Sequence, residues 1–264
     1  MLSPEILAYY RRGGETDRLS AGAGRLEFLR TWDILVRVLP VPPARIVDVG
    51  GATGVYARPL AEAGYDVTVV DPVPEHVAAA GRLPGVTAVV GDARELPHHD
   101  ATADGVLMLG PLYHLTDRGD RLRAWREAAR VARPGGVVAG AVISRFASLC
   151  DGFANGYFAE PGFLPIVEGA LTDGVHRNEG GHHRWFTSAY FHLPDEPAAE
   201  AIEAGLTGVR TVAVEGPAWM TAHLPDFLTD PRLTEITLRL LRRIEDQPSI
   251  FGTSSHLLTV GRVG

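Results

Sequence analysis

Apolar residues cluster along this chain in short unbroken runs, each stopped by glycine or aspartate, with stretches of helical period between them. Ile46, Val47 and Val49 form the first run, and Val67, Val69 and Val70 the second. Val86–Val90, the DGVLML run of 104–109 and Val137–Ile143 follow at similar intervals. Runs of this length read as strands buried on both faces, which is the signature of a parallel sheet rather than a half-wet antiparallel one. Between them, Val55–Ala63, Pro74–Ala80 and Arg118–Arg133 have helical character, so the central chain alternates strand and helix.

The flanks follow other patterns. Pro4–Arg12 and Gly24–Leu39 predict two helices, the second carrying Leu26, Leu29, Ile34, Leu35 and Val38 as an apolar stripe ended by Pro40, Pro42 and Pro43. Residues 1–40 therefore form a helical cover, and 41–144 the α/β core. Residues 145–195 are too long for a simple connection and predict an inserted cap rich in Phe, Tyr, Trp and His. Residues 196–264 return to the core, with a helix over 194–206, a strand at Val209–Val214, a helix over Pro231–Ile244 and a last strand spanning Ile250–Val260.

The chemistry is concentrated where the first strand breaks. Gly50, Gly51, Ala52, Thr53 and Gly54 cannot continue a strand; small residues let the backbone turn and approach a ligand, under the amides of the following helix. The second strand ends on Asp71, at the distance from the turn where a ribose-binding acid is expected in a nucleotide-binding βαβ unit. The dinucleotide pattern G-x-G-x-x-G fails, since Ala52 and Val55 occupy its second and third glycine positions. A phosphate-binding P-loop fails too, because the chain has no lysine; all 25 basic residues are arginine.

What remains, Asp48-x-Gly50-x-Ala52-x-Gly54, resembles motif I of the class I S-adenosylmethionine (SAM) dependent methyltransferases, with alanine where that family more often has glycine. Asp71, the Gly91-Asp92-Ala93 end of strand three and the Arg133-Pro134-Gly135-Gly136 stop before strand five fall in the same order as in that family. The cap sequence HRNEGGHHRWFTSAYFHLP and the later EGPAW resemble a group of small bacterial, often actinobacterial, members. The resemblance implies a Rossmann-like sheet, mostly parallel with an antiparallel last strand, and SAM as cofactor. It implies a cofactor site built from Asp48, Gly50, Gly51, Ala52, Gly54, Asp71, Pro72, Asp92, Ala93 and Leu109, with Asp92 accepting from the adenine amino group. Tyr10 and Arg18 of the cover are expected at the methionine end.

The segment Gly110-Pro111-Leu112-Tyr113-His114-Leu115 lacks the Asn/Asp-Pro-Pro-aromatic signature of enzymes that methylate planar amino or amide nitrogen. It offers an imidazole and a phenol instead. His114 is the expected general base, since imidazole titrates near neutrality, and Tyr113 its neighbour in the catalytic pair. Loss of His114 is expected to cut turnover while sparing cofactor affinity. In the cap, Tyr157, His182, Trp185 and Tyr190 are the expected substrate contacts. No metal is expected: His182 and His183 are adjacent, and no cysteine or carboxylate completes a ligand spacing.

Composition narrows the partners. A net charge of −7 argues against nucleic acid, and one cysteine excludes an internal disulfide. With no membrane-length apolar stretch, a soluble, cytoplasmic protein is expected. Three functions stay open: O- or N-methylation of a small molecule or natural product, methylation of a peptide, protein or tRNA, and a SAM-binding module without activity.

Overall fold

The computed structural model describes residues 18–182 and 184–264; Pro4–Arg12, Tyr10 and His183 lie outside them. The first described helix is α1 (Gly22–Val38). There follow β1 (Arg45–Val49), α2 (Ala57–Glu62), β2 (Asp66–Asp71), α3 (Pro74–Ala80), β3 (Val86–Val90) and β4 (Ala103–Met108). A one-turn helix, α4 (Pro111–His114), precedes α5 (Arg118–Val131) and β5 (Ala132–Ser144). The strands run in the order β3-β2-β1-β4-β5, all parallel, with Val47 paired to Thr68 on one side and Val106 on the other. The chain order reverses between β1 and β4, which opens a crevice above their carboxyl ends.

The last strand, β9 (His256–Val263), lies antiparallel to β5 and pairs antiparallel with β8 (Leu206–Ala213). Fully buried apolar side chains fill both faces. On one, Ile34 and Leu35 of α1 pack with Leu60, Val67, Val69 and Leu258; on the other, Trp125 and Ala128 of α5 pack with Val106, Val138 and Leu257. Hydrophobic burial therefore holds α1 as part of the sheet's own layer.

An ionic cluster reinforces that docking. Arg30 of α1 is fully buried; it donates to Asp33 Oδ2 at 2.5 Å, Glu245 Oε2 at 2.6 Å and the Val214 carbonyl at 3.0 Å. Arg37 donates to Glu245 Oε1 at 2.7 Å, and Arg242 also pairs with Asp33. Each buried charge has its counter-charge and its hydrogen bonds, the condition under which ion pairs are tolerated inside a protein.

The cap differs from an independent insertion. It contains α6 (Ala147–Asn155), α7 (Phe163–Asp173) and two short strands, β6 (Val175–His176) and β7 (Ala189–His192). Ile143 and Ser144 pair with Phe191 and His192, so the cap is hydrogen-bonded to the end of β5. The carboxy-terminal half also shifts from the sequence expectation. Helix α8 is Glu196–Glu203, α9 is Leu224–Thr229, α10 is Pro231–Arg242, and the expected strand start at Ile250 is instead a helical turn, α11 (Pro248–Phe251). Pro248 at the first turn of α11 fixes a helical φ, and the strand begins only where Ser254 Oγ and the His256 amide are tied to Glu215. Among the described residues no helix is long and apolar enough to cross a membrane.

Candidate active site

The glycine turn is held at both ends. Gly50 (φ 70°) has a positive φ, and a Cβ there would lie 2.9 Å from Pro111 Cδ; Gly54 (φ 89°) would press on Leu83. Ala52 also has a positive φ, 47°, and is fixed there by its amide, which donates to Asp71 Oδ2 at 3.0 Å. Asp71 Oδ1 accepts from the Val73 amide at 2.9 Å and lies 3.1 Å from His76 Nδ1. The acid ending β2 thus clasps the turn while it borders the crevice.

Two cavities open along this turn. The larger, about 360 Å³, is lined by Asp48, Gly50–Thr53, Leu109, Gly110 and Tyr113, with Arg18 and Glu27 across from them. A narrower recess of about 70 Å³ continues past Asp71 and Pro72 to Asp92, Ala93 and His114. Asp48 is the telling residue. It is 1% exposed, and neither carboxylate oxygen has a hydrogen-bond partner among the described residues. Burial, reinforced by the charge of Asp71, raises its pKa to about 7. An orphaned acid in the wall of a cavity fits a cationic ligand, and the methionine ammonium and sulfonium of SAM carry that charge. The residues present are thus compatible with SAM, which would run along the turn beside Asp48, past Asp71 and into the recess at Ala93.

Asp92 is less available than the sequence suggests. Arg94 donates to it from Nε (2.9 Å) and Nη2 (2.6 Å), and also reaches Asp120 at 2.6 Å. The Arg94 hydrogen bonds hold the Asp92 carboxyl well below its ordinary pKa.

Tyr113 and His114 part company. Successive residues on a helix point about 100° apart. Tyr113 lines the main cavity, whereas His114 lines the recess. Burial pulls the His114 imidazole down to about 3. A ring so weakly basic, in the narrow recess rather than the main cavity, is poorly suited to take a proton from a methyl acceptor.

Beyond Arg18, Glu27 and Tyr113, which line both spaces, a third cavity of about 270 Å³ runs under the cap. Its walls include Phe163, Trp185, Phe186, Phe191 and Trp219. Of the expected cap contacts only Trp185 lines it. Tyr157 packs on Phe163 at 5.3 Å, beneath Arg184; His182 stacks on the outer Trp185 ring at 4.0 Å. Tyr190 lies under Arg121 at 3.8 Å and donates to Glu196 Oε1 at 3.0 Å, a structural anchor of the cap. Aromatic character alone does not distinguish a wall from a packing contact.

The chamber also contains a pair that the sequence did not single out. His256, at the start of β9, places Nδ1 2.6 Å from Glu215 Oε1. Glu215 Oε2 accepts from the His256 amide at 2.9 Å and from Ser254 Oγ at 2.9 Å. Glu27, held by Arg18, lies 3.7 Å from the same Nδ1. Burial alone would lower the His256 pKa, but Glu27 and Glu215 outweigh it and raise the value above that of an ordinary histidine. Among the described residues Glu27, Glu215 and His256 form the one cluster close enough to bind a metal, and none of the cap histidines belongs to it. With Nδ1 at hydrogen-bonding distance from Glu215 and Arg18 on Glu27, the arrangement is that of an imidazole oriented by a carboxylate, with Nε2 left as the acceptor.

Residues 47–140 match the family described as a methyltransferase domain. An uncharacterized methyltransferase of Mycobacterium tuberculosis is 40% identical over 100 residues, 38% of this chain and 40% of the relative. A ubiquinone/menaquinone biosynthesis C-methyltransferase of Caulobacter vibrioides is 35% identical over 136 residues, 46% of this chain and 51% of the relative. The chain thus spans about half or less of the curated relatives it matches. A Thermotoga maritima structure described as a SAM-dependent methyltransferase, possible histamine N-methyltransferase, covers 97% of this chain and 98% of its own, with TM-score 0.59 at 19% identity, a likeness of fold.

Proposed function

We propose that this chain, whose residues 47–140 match a methyltransferase domain and whose fold is like that of solved SAM-dependent methyltransferases, is a class I SAM-dependent methyltransferase that methylates an oxygen or nitrogen atom of a small molecule held in the aromatic chamber. The carrying observation is that the cavity beside the glycine turn and the chamber under the cap share Arg18, Glu27 and Tyr113. Ligands in the two spaces meet at that junction. SAM supplies an electrophilic methyl carbon. The protein's part is to align an acceptor atom with it and exclude water, which is worth up to about 7–11 kcal/mol in the best-aligned reactions.

Where the acceptor must lose a proton, the reading moves the base from His114 to His256. Glu215 holds Nδ1–H, so Nε2 is the lone pair for a hydroxyl or ammonium proton, and the carboxylate stabilises the imidazolium that forms. Tyr113 is a wall of the junction. The name of the Caulobacter relative favours a second acceptor, a ring carbon activated by an ionised hydroxyl, which would use the same base. A chamber of about 270 Å³ walled by aromatic side chains supports a small-molecule acceptor over a macromolecule or a module without activity.

The test is a labelled-methyl assay with phenol and amine panels, comparing His256→Gln with the parent. Turnover should fall about 10²- to 10⁴-fold, with affinity for S-adenosylhomocysteine within a few-fold. Parent-like turnover in His256→Gln rejects the base, and absence of cofactor binding rejects the whole reading.

A further inference from the structure

The chamber wall holds another histidine, His176, whose ring hydrogen bonds go to a hydroxyl and a backbone carbonyl rather than to an acid. His176 is 2% exposed, stacks on Phe191 at 4.9 Å, and places Nε2 3.1 Å from the Phe186 carbonyl oxygen and Nδ1 2.7 Å from Ser148 Oγ. A carbonyl only accepts, so Nε2 carries the hydrogen. Burial draws His176 down to about 4, so the ring is neutral and Nδ1 is a lone pair. The Ser148 hydroxyl must therefore donate to Nδ1. Its single hydrogen is spent, and the oxygen presented to the chamber can only accept. One turn along α6, Asp151 also lines the chamber; its Oδ1 accepts from Asn155 at 2.6 Å, while Oδ2 takes no hydrogen bond among the described residues.

From this pairing of a donor-depleted Ser148 with Asp151, among aromatic walls, we propose that the chamber selects methyl acceptors whose far end bears a hydrogen-bond donor without negative charge, a hydroxyl or an amine, on a ring-sized apolar body. The inference rests on the chamber being the acceptor site. His176 acts through Ser148 as a positioning residue. At Ser148 and Asp151 an anionic end would meet an acceptor-only oxygen and a carboxylate, both of which repel it. Sites that hydrogen-bond a substrate group discriminate strongly against analogues that lack it.

Calorimetry on the full chain loaded with S-adenosylhomocysteine tests this with four phenols of matched size: 4-(2-hydroxyethyl)phenol, tyramine, 4-ethylphenol and 4-hydroxyphenylacetate. The hydroxyl or the amine should bind about 10-fold more tightly than the ethyl compound, and the carboxylate should bind most weakly. Whichever of the first two is tighter assigns a neutral or a cationic donor. Ser148→Ala should cut the preference severalfold and leave 4-ethylphenol binding within about twofold, as expected of a lost contact rather than a lost fold. The ¹⁵N shifts of His176 should show the proton on Nε2. Carboxylate binding equal to the others, a preference undiminished in Ser148→Ala, a proton on Nδ1, or no phenol binding at millimolar concentration each overturns the proposal. Loss of the preference while turnover still depends on His256 would sink this inference alone; the reverse would sink only the base.

Discussion

The backbone amide of Ala52 donates to the Asp71 carboxylate across 3.0 Å, so the turn after the first strand and the acid ending the second form one clasp. Ala52 occupies the left-handed region to make that bond. For an L-residue this costs about 1–2 kcal/mol that glycine avoids. Ala52→Gly is expected to raise thermal stability by about 1 kcal/mol or leave it unchanged, the gain being offset by glycine's looser unfolded chain. Calorimetric melting measures it, and a loss of several degrees would mean that the Ala52 methyl packs favourably.

Asp48 couples the crevice to pH. Its carboxyl titrates near 7 in the folded protein, through burial first and the charge of Asp71 second, against about 3.8 when exposed. Between those values the folded state keeps a proton that the unfolded state has lost. Stability of the cofactor-free protein therefore falls as pH rises from about 4 to about 7, by on the order of 4 kcal/mol at about 1.4 kcal/mol per pH unit. Asp48→Asn should flatten that contribution to the melting curve. In the parent, cofactor affinity should weaken as pH drops below 7, because binding a cation then has to expel the proton; pH-independent affinity would remove Asp48 from the cofactor's charge.

Arg30 is a structural commitment rather than a catalytic one. Arg30→Met leaves Asp33 and Glu245 buried with only the partial service of Arg37 and Arg242. Breaking such a buried pair costs about 3–5 kcal/mol. Melting should drop by roughly 10 °C, and Glu245→Gln in the same background should cost less than the two single changes added. Strict additivity would show that the cluster does not act as a unit.

The core was legible because its signals are local. Val67, Val69 and Val70 announce a buried strand, and the small residues from Gly50 to Gly54 a turn, in which Gly50 and Gly54 take a positive φ. The acceptor side was not, because its parts come together only in space. Glu27, Glu215 and His256 are spread over more than two hundred positions and meet through the antiparallel return of β9 beside α1. His256 sits in an SSHLLTV run that reads only as strand, and the sequence signal of the GPLYHL histidine overshadowed it. What the sequence lacked was orientation: which of Tyr113 and His114 faces the junction depends on the one-turn helix they share.

His114 should behave accordingly. His114→Ala removes part of the recess beside Ala93 and should weaken cofactor binding by on the order of tenfold, through lost wall contacts. The shape of the pH–rate profile should stay as it is, since a ring titrating near 3 is neutral throughout the working range. Isothermal titration with S-adenosylhomocysteine and a pH series would separate the two effects. Loss of a titration limb near neutrality would return the base to His114.

His256 carries the opposite expectation, and its sign follows from its neighbours. Burial acts to lower its pKa, but Glu27 and Glu215 together lift it above the ordinary value near 6.5. Turnover should thus rise with pH through a limb lying above 6.5 as the imidazole loses its proton. Glu215→Gln, which removes one of the raising charges, should move that limb toward lower pH. His256→Gln should abolish it. Stability runs the other way: a folded pKa above the unfolded one gives stabilisation that is complete below about 6.5 and is lost as pH rises through the folded value. The melting advantage of the parent over His256→Gln should therefore be largest in mild acid and shrink above neutrality. If that advantage instead grows with pH, or if Glu215→Gln leaves the limb in place, the carboxylate and the imidazole do not share a proton in the way their 2.6 Å contact indicates.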